Sequence, residues 1–139
     1  AVHRAGLELR AVGEPGWGGV ALAGVRYLGR VGDEELARLY RGALCVAYPS
    51  LYEGFGIPVL EAMACGAPVV TSRGGATEEV AGGAAVLVDP LDVAAIAAGI
   101  EEAAARREEL RALGLERARA FSWEESARRT VEVYREVSG

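Results

Sequence analysis

Apolar segments alternate with amphipathic segments along this chain, in a pattern that predicts short β-strands connected by α-helices. Short runs of Val, Leu, Ala and Tyr predict strands at residues 7–12, 25–28, 45–48, 68–71 and 85–88, with a Gly- and Pro-rich loop at residues 14–19. Apolar residues at helical spacing predict helices at residues 34–42, 58–66, 77–81, 93–112 and 123–137. Strands that alternate with helices are typical of α/β proteins. We therefore expect a Rossmann-like, doubly wound parallel sheet flanked by helices.

Polar residues mark the starts of three of these helices. Asp33 precedes an apolar stripe, and its carboxylate is expected to cap the first helix. Asp92 is expected to cap a single long helix that ends at about residue 112. Ser122 and Glu125 have the spacing of a capping box, so they predict the start of the last helix.

Composition and charge narrow the classes of protein and ligand. The 139 residues are 51% hydrophobic and 25% charged, which is typical of one globular domain. A net charge of −5 argues against a nucleic-acid surface, which needs a basic patch. All 15 basic residues are arginines, because the sequence contains no lysine. Cys45 and Cys65 lack the C-x-x-C spacing of metal and redox sites, so no metal ion is expected.

The segment after the third predicted strand carries the strongest signal for a ligand site. Ligands of parallel sheets bind where the strands end, and residues 49–58 follow one such end. Gly54 and Gly56 allow close approach of the backbone to a ligand, and the next helix start favours an anion. Glu53 and Glu61 bracket this segment, and paired carboxylates suit sugar hydroxyls. The residues alone leave an alternative, in which Glu53 is a solvated loop charge and Glu61 interacts with the helix dipole.

The same segment resembles a known family signature. Residues 53–66 read E-G-F-G-I-P-V-L-E-A-M-A-C-G, and P-V-V-T-S follows at residues 68–72. This resembles the E-x7-E signature of glycosyltransferase family 4, whose members have the GT-B fold. The flanks are also similar, with G-V-R-Y-L-G at residues 24–29, D-E-E-L at residues 33–36 and F-S-W at residues 121–123. The resemblance covers essentially the whole chain and implies that residues 1–139 are the C-terminal, donor-binding domain of such an enzyme.

The resemblance also implies roles for individual residues. Glu61 is expected to bind the ribose hydroxyls of the nucleotide, and Glu53 is expected at the transferred sugar, as the candidate catalytic residue. Val31 is expected to contact the base through its main chain. Asp33 is a candidate both for the helix cap and for a neighbour of the base, and we favour the cap. The backbone that is expected to meet the sugar and the diphosphate belongs to Gly54, Phe55, Gly56 and Ile57.

Positive charge at the leaving diphosphate is the main catalytic demand on retaining enzymes of this type. In the family, an arginine and a lysine on the first β-α unit of the domain supply it, and no matching stretch occurs in this sequence. We therefore expect residues 1–139 to lack that first β-α unit as well as the N-terminal acceptor domain. Arg73, after the fourth predicted strand, is a candidate substitute that contacts phosphate.

The expected function is hexosyl transfer, of mannose or glucose, from a nucleotide diphosphate sugar to an acceptor, with retention of configuration. This chain would supply the donor site, be inactive alone, and use no metal and no cofactor besides the substrate. A non-catalytic nucleotide-sugar binding module of GT-B fold is the alternative. The expected partners are the donor, the acceptor domain and, through the apolar stripe of the last helix, a second copy. The expected location is cytoplasmic, with peripheral membrane attachment an option for the full-length enzyme.

Overall fold

A computed structural model of the chain describes residues 7–13 and 23–138. The predicted loop at residues 14–19 lies outside them. The strands are β1 (Leu9–Val12), β2 (Val25–Gly29), β3 (Val46–Tyr48), β4 (Val69–Ser72) and β5 (Val86–Val88). The helices are α1 (Asp33–Gly42), α2 (Ile57–Ala64), α3 (Ala76–Ala81), α4 (Val93–Ala105), α5 (Arg107–Ala118) and α6 (Trp123–Ser138).

All strand pairs are parallel, and the strands lie in two sheets. β1 pairs with β2, while the second sheet has the order β3–β4–β5. The expected fold class, an α/β arrangement of parallel strands with flanking helices, is confirmed. Within residues 7–13 and 23–138, however, no strand pairing joins the two sheets.

Helices cover both faces of the three-stranded sheet. Val69 of β4 packs in one apolar cluster with Val59 and Met63 of α2, while the next residue, Val70, packs in a second cluster with Ala103 of α4. All five side chains are fully buried. Since successive side chains of a strand point to opposite faces, α2 lies against one face and α4 against the other.

The single helix predicted for residues 93–112 is wrong, because the chain turns at Arg106 between α4 and α5. Arg106 has φ −96° and ψ 23°, outside helical geometry, and its guanidinium pairs with Glu102 on one side and Glu109 on the other. The turn directs α5 back onto α2, where a Cβ on Gly114 would lie 3.3 Å from Cγ of Met63. Packing of α5 on α2 therefore outweighs the helical propensity of the sequence at the break.

Two of the three predicted helix caps are confirmed. The carboxylate of Asp92 accepts hydrogen bonds at 2.8 and 3.0 Å from the second and third backbone N–H groups that follow it. Ser122 accepts one at 3.1 Å from the N–H of Glu125, whereas the carboxylate of Glu125 pairs with arginines of α6, so the serine half of the predicted capping box is the half observed. The prediction for Asp33 is wrong, because Gly32 occupies the cap position and no side chain caps α1. Asp33 is the first helical residue, so its carboxylate acts on the helix dipole without a capping bond.

Apolar side chains are exposed on the two-stranded sheet and on α6. Leu9 of β1 and Tyr27 of β2 are each 39% exposed. No residue of α6 is buried, and its exposed apolar residues are Trp123, Val131, Val133, Tyr134 and Val137. The expected self-association through α6 stays a prediction. Among the described residues, none of the helices combines the length and apolar character needed to cross a membrane.

Candidate functional site

The candidate site lies at the edge where the strands of the three-stranded sheet end. Tyr48 at the end of β3 is paired with Thr71 of β4, and Ser72 at the end of β4 is paired with Val88 of β5. The segments after β3 and after β4 therefore leave the sheet side by side. This is the edge at which ligands of parallel sheets bind.

Buried hydroxyl groups of β4 hydrogen-bond to backbone carbonyls at the end of β3 and just after it. The hydroxyl of Thr71 donates a hydrogen bond of 2.9 Å to the backbone carbonyl of Tyr48, and the hydroxyl of Ser72 donates one to the carbonyl of Ser50. Thr71 is fully buried and Ser72 is 3% exposed, so both bonds are shielded from water. The backbone from residue 48 to residue 50 is consequently held against β4.

Glu53 is half-buried, and two hydroxyl groups hold its carboxylate. Its Oε1 accepts hydrogen bonds from the phenol of Tyr48 at 2.6 Å and from the hydroxyl of Ser50 at 2.9 Å. The hydrogen bond to Glu53, together with partial burial, raises the pKa of Tyr48 to about 12, because the phenolate would face a carboxylate. Glu53 is therefore an oriented group and not merely a solvated loop charge.

The start of α2 has a backbone geometry that favours an anion. Gly56 occupies the cap position with φ 93°, and no side chain caps the helix. The backbone N–H groups of Gly56 and Ile57 therefore have no side-chain acceptor, while the next residue is a proline and lacks an N–H. A Cβ on Gly56 would lie 3.1 Å from Cγ2 of Thr77 on α3. Both the left-handed backbone and this close approach require glycine. Gly54, in contrast, has open space around its Cα.

Phe55 and Ile57 flank the capping glycine and point to different surroundings. The Phe55 ring packs edge-on against Phe121 with a centroid distance of 6.0 Å, and the guanidinium of Arg117 lies 4.7 Å from the Phe121 ring centre. Ile57 is 49% exposed. The side chain of Phe55, which is 45% exposed, thus contacts the segment between α5 and α6, and its backbone is the part expected to meet the ligand.

Glu61 lies on α2 beyond its first turn and is exposed. A dipole interaction fades beyond the first helical turn, so the dipole explanation of Glu61 is weak here. Burial raises the pKa of Tyr40 on α1 to about 12, and the negative charge of nearby Glu61 adds to this shift. The carboxylate of Glu61 is thus close enough to α1 to act on Tyr40, whereas the carboxylate of Glu53 is hydrogen-bonded at the end of β3.

The remaining predicted site residues lie on two other segments. Val31 is half-buried ahead of α1, and Asp33 is exposed at its first position. Arg73 is exposed directly after β4, where its backbone N–H donates a hydrogen bond of 2.8 Å to the carbonyl of Val88. Arg73 borders a surface groove together with Asp89. It thus lies at the same edge of the sheet as Glu53.

Tyr48 and Ser50 are the site residues that the sequence prediction missed. The sequence predicts Tyr48 as the last residue of an apolar strand, whereas its hydroxyl donates to Glu53 at the candidate site. The available signal was the occurrence of hydroxyl residues at the ends of two adjacent predicted strands, at Tyr48 and Ser50 and at Thr71 and Ser72.

Within the part of the chain that the structure describes, no group of three or more His, Cys, Asp or Glu side chains is placed to hold a metal ion. The two cysteines, Cys45 and Cys65, are free thiols, and burial raises the pKa of Cys45. The polar groups that converge on the site are therefore carboxylates, hydroxyls and backbone N–H groups.

Comparison with characterised proteins shows similarity to sugar-transferring enzymes. The chain is 47% identical over 114 residues to O-antigen chain mannosyltransferase B of Escherichia coli, an alignment that covers 80% of this chain and 30% of the relative. It is 48% identical over 109 residues to MMP alpha-(1->4)-mannosyltransferase of Mycolicibacterium hassiacum, covering 73% and 26%. It is 45% identical over 116 residues to D-inositol 3-phosphate glycosyltransferase of a Nocardioides species, covering 80% and 25%. The chain thus spans 25–30% of the length of these relatives.

Solved structures agree with this similarity. The fold matches sucrose-phosphate synthase from Thermosynechococcus elongatus with a TM-score of 0.72 and 35% identity, over 82% of this chain and 30% of that chain. It also matches the N-terminal domain of trehalose-6-phosphate phosphatase from Candida albicans with a TM-score of 0.63 and 23% identity, over 76% and 24%, which shows a shared fold. The family model described as glycosyl transferases group 1 matches residues 21–120, so the chain belongs to this family of enzymes.

Proposed function

We propose that this chain is the donor-binding part of a retaining glycosyltransferase that transfers a hexosyl group, mannosyl or glucosyl, from a nucleotide diphosphate sugar. The observation that carries the proposal is the oriented carboxylate of Glu53 beside the uncapped start of α2. An anion site next to a fixed acceptor of hydroxyl groups suits a diphosphate that is joined to a sugar.

The diphosphate is proposed to lie at the start of α2. The backbone N–H groups near Gly56 and Ile57 have no side-chain cap, and the helix dipole favours negative charge there. When the bond to the sugar breaks, negative charge grows on the leaving diphosphate, so the same donors stabilise the transition state. Arg73 is the proposed cation for the phosphates, because it is exposed at the same edge of the sheet.

The sugar and the nucleoside are proposed to occupy opposite sides of the diphosphate. Glu53 accepts hydrogen bonds from hydroxyls of the transferred hexose, and Glu61 accepts them from the ribose. Val31 precedes α1 and Asp33 is its first residue, while the negative charge of Glu61 contributes to the raised pKa of Tyr40 on the same helix. A base next to Val31 would therefore belong to the ribose side of the site.

The names of the relatives support the substrate class. Two of them are called mannosyltransferases and one a D-inositol 3-phosphate glycosyltransferase. We take mannosyl transfer from these names and keep glucosyl transfer as the option implied by the family resemblance, with the acceptor bound by a second, N-terminal domain. This chain alone is then expected to bind the donor and to be inactive in transfer.

A further strand is proposed to join the two sheets. β3 and β1 belong to separate parallel sheets, and β1 and β2 leave apolar side chains such as Leu9 exposed. One parallel strand between β1 and β3 would make a single sheet with its switch point at the ligand edge, as in doubly wound folds. The first β-α unit expected from the family resemblance is the proposed source of that strand.

Calorimetric titration of the 139-residue chain tests the donor site directly. UDP, GDP and ADP and their glucose or mannose conjugates are titrated into the wild type, Glu61→Gln, and the control Glu101→Gln, which changes an exposed glutamate on α4. We expect one nucleotide to bind, with affinity about tenfold weaker in Glu61→Gln and unchanged in the control. Absence of binding to a folded wild-type chain, or equal affinities of the two variants, contradicts the proposed site.

A further inference from the structure

We infer that Tyr48 and Ser50 are positioning residues that hold Glu53 in the orientation that recognises the transferred sugar. This inference rests on the proposed function, because Glu53 must meet the sugar of the donor. On this inference, the two hydroxyl groups make the chain bind a nucleotide sugar more tightly than the bare nucleotide.

Both hydroxyl groups bind the same oxygen of Glu53. The phenol of Tyr48 donates at 2.6 Å and the hydroxyl of Ser50 at 2.9 Å, and both bonds end on Oε1. Rotation of the carboxylate would break two hydrogen bonds at once. With Oε1 engaged, Oε2 is the oxygen left to accept hydroxyls of the sugar, and its direction is fixed by the bonds to Oε1.

The two donors are themselves fixed by the strand beside them. The backbone carbonyl of Tyr48 accepts from Thr71, and the carbonyl of Ser50 accepts from Ser72. Both of these serine and threonine side chains are buried. The carboxylate is consequently connected to β4 by two series of hydrogen bonds, one through Tyr48 and one through Ser50. Because it is already ordered, binding of the sugar does not have to order it.

Tyr48 is expected to contribute more than Ser50. The hydroxyl of Ser50 also lies 3.1 Å from the backbone carbonyl of Tyr52, and its single proton serves one acceptor at a time. The phenol of Tyr48 has Glu53 as its recorded acceptor, at a distance typical of a charge-assisted O–H···O⁻ bond.

The test compares affinities for a nucleoside diphosphate and for its hexose conjugate, using the nucleotide that the wild-type chain selects from the UDP, GDP and ADP panel. We expect Tyr48→Phe to weaken binding of the conjugate about tenfold and Ser50→Ala about threefold, while affinity for the bare nucleotide changes less than about twofold. Tyr134→Phe removes a phenol from exposed α6 and is the matched control, with both affinities unchanged.

A spectroscopic measurement checks the hydrogen bond without any ligand. Tyrosine ionisation is followed by ultraviolet absorbance in a Tyr40→Phe background, because Tyr40 also has a raised pKa. We expect Tyr48 to titrate late in this background, because the hydrogen bond to Glu53 is the largest cause of its raised pKa. This late titration should disappear in Tyr48→Phe and occur earlier in Glu53→Gln.

The outcomes separate the inference from the proposed function. A folded wild-type chain that binds no nucleotide overturns both. If nucleotides bind, but Tyr48→Phe weakens nucleotide and conjugate equally or leaves the conjugate unaffected, the positioning role is wrong and the donor site stands. A late-titrating tyrosine that is insensitive to Glu53→Gln also overturns the role of Tyr48.

Discussion

The three-stranded and two-stranded sheets are both parallel, yet within residues 7–13 and 23–138 only the three-stranded sheet is covered by helices on both faces. In β4, Val69 and Val70 are completely buried between α2 and α4. In the other sheet, Leu9 and Tyr27 each expose 39% of their surface. Parallel sheets are usually buried on both sides. Residues 46–118 therefore form a core, whereas β1 and β2 would need further contacts to be buried in one.

Like the two-stranded sheet, helix α6 leaves its apolar side chains exposed. α4 and α5 each bury residues, among them Ala103 and Leu110, but α6 buries none. Its ion pairs, from Arg128 and Arg129 to Glu125, lie within the helix and stabilise it locally. Stability of the chain should therefore depend on residues 46–118 and hardly at all on β1, β2 and α6.

The largest effect is expected from a cavity in the core. Met63 is fully buried and lies against Gly114 of α5. Met63→Ala should lower the free energy of unfolding by about 3 kcal/mol, from lost burial and the cavity left behind. Leu9→Ala on β1 is the matched change and should cost less than about 1 kcal/mol. Urea unfolding of both variants measures the difference; equal losses would mean that β1 is part of the same core.

The next effect is expected from overpacking of the sheet beneath α4. A Cβ at Gly99 would lie 2.6 Å from Cγ1 of Val88 and 3.2 Å from Cγ1 of Val70. Gly99→Val should therefore cost about 2 kcal/mol of stability. Gly42→Val makes the same change at the end of α1, where nothing lies within 4 Å, and should alter stability by less than about 0.5 kcal/mol. Thermal unfolding of the pair tests whether α4 rests as tightly on the sheet as described.

A smaller effect is expected from removal of helix caps. Asp92→Ala removes two hydrogen bonds at the start of α4 and should cost about 1 kcal/mol of global stability. Ser122→Ala removes the corresponding bond of α6, and the unfolding midpoint should hardly move, because α6 frays without exposing any core. Amide hydrogen exchange should instead show faster exchange in α6. A global loss from Ser122→Ala as large as that from Asp92→Ala would contradict the separation of α6 from the core.

The positions of strands and helices were largely predictable from the sequence, because each element carries a local signal. Alternating apolar runs and turn residues located the strands to within two residues, and Asp92 and Ser122 marked their helices correctly. The break at Arg106 was not predictable, since no Gly or Pro marks it and the cause is packing of α5 on α2. The cap assigned to Asp33 failed by one residue, which local spacing does not resolve.

The loop of the candidate site was predictable from the sequence, but the hydrogen bonds within the site were not. The loop is recognisable in the sequence because a glycine and two glutamates, namely Gly56, Glu53 and Glu61, follow the end of a predicted strand. The partners of Glu53 depend on the pairing of β3 with β4 and on the direction of the Tyr48 side chain, which are tertiary properties. Arg73 follows β4, as the sequence predicts, while its proposed contact with phosphate stays a prediction.

The smallest effect on stability, and the sharpest test of the comparison, is expected from removal of α6. Truncation of the chain after Ser122 should leave the free energy of unfolding unchanged within about 0.5 kcal/mol, because no side chain of α6 is buried. Its apolar residues, among them Tyr134 at 66% and Val137 at 77% exposure, should promote self-association of the intact chain. Sedimentation at several concentrations should then show association that the truncated chain lacks. A truncated chain that unfolds more readily at dilutions where both are monomers would show that α6 stabilises the core after all, whereas monomers of both chains at every concentration would overturn self-association alone.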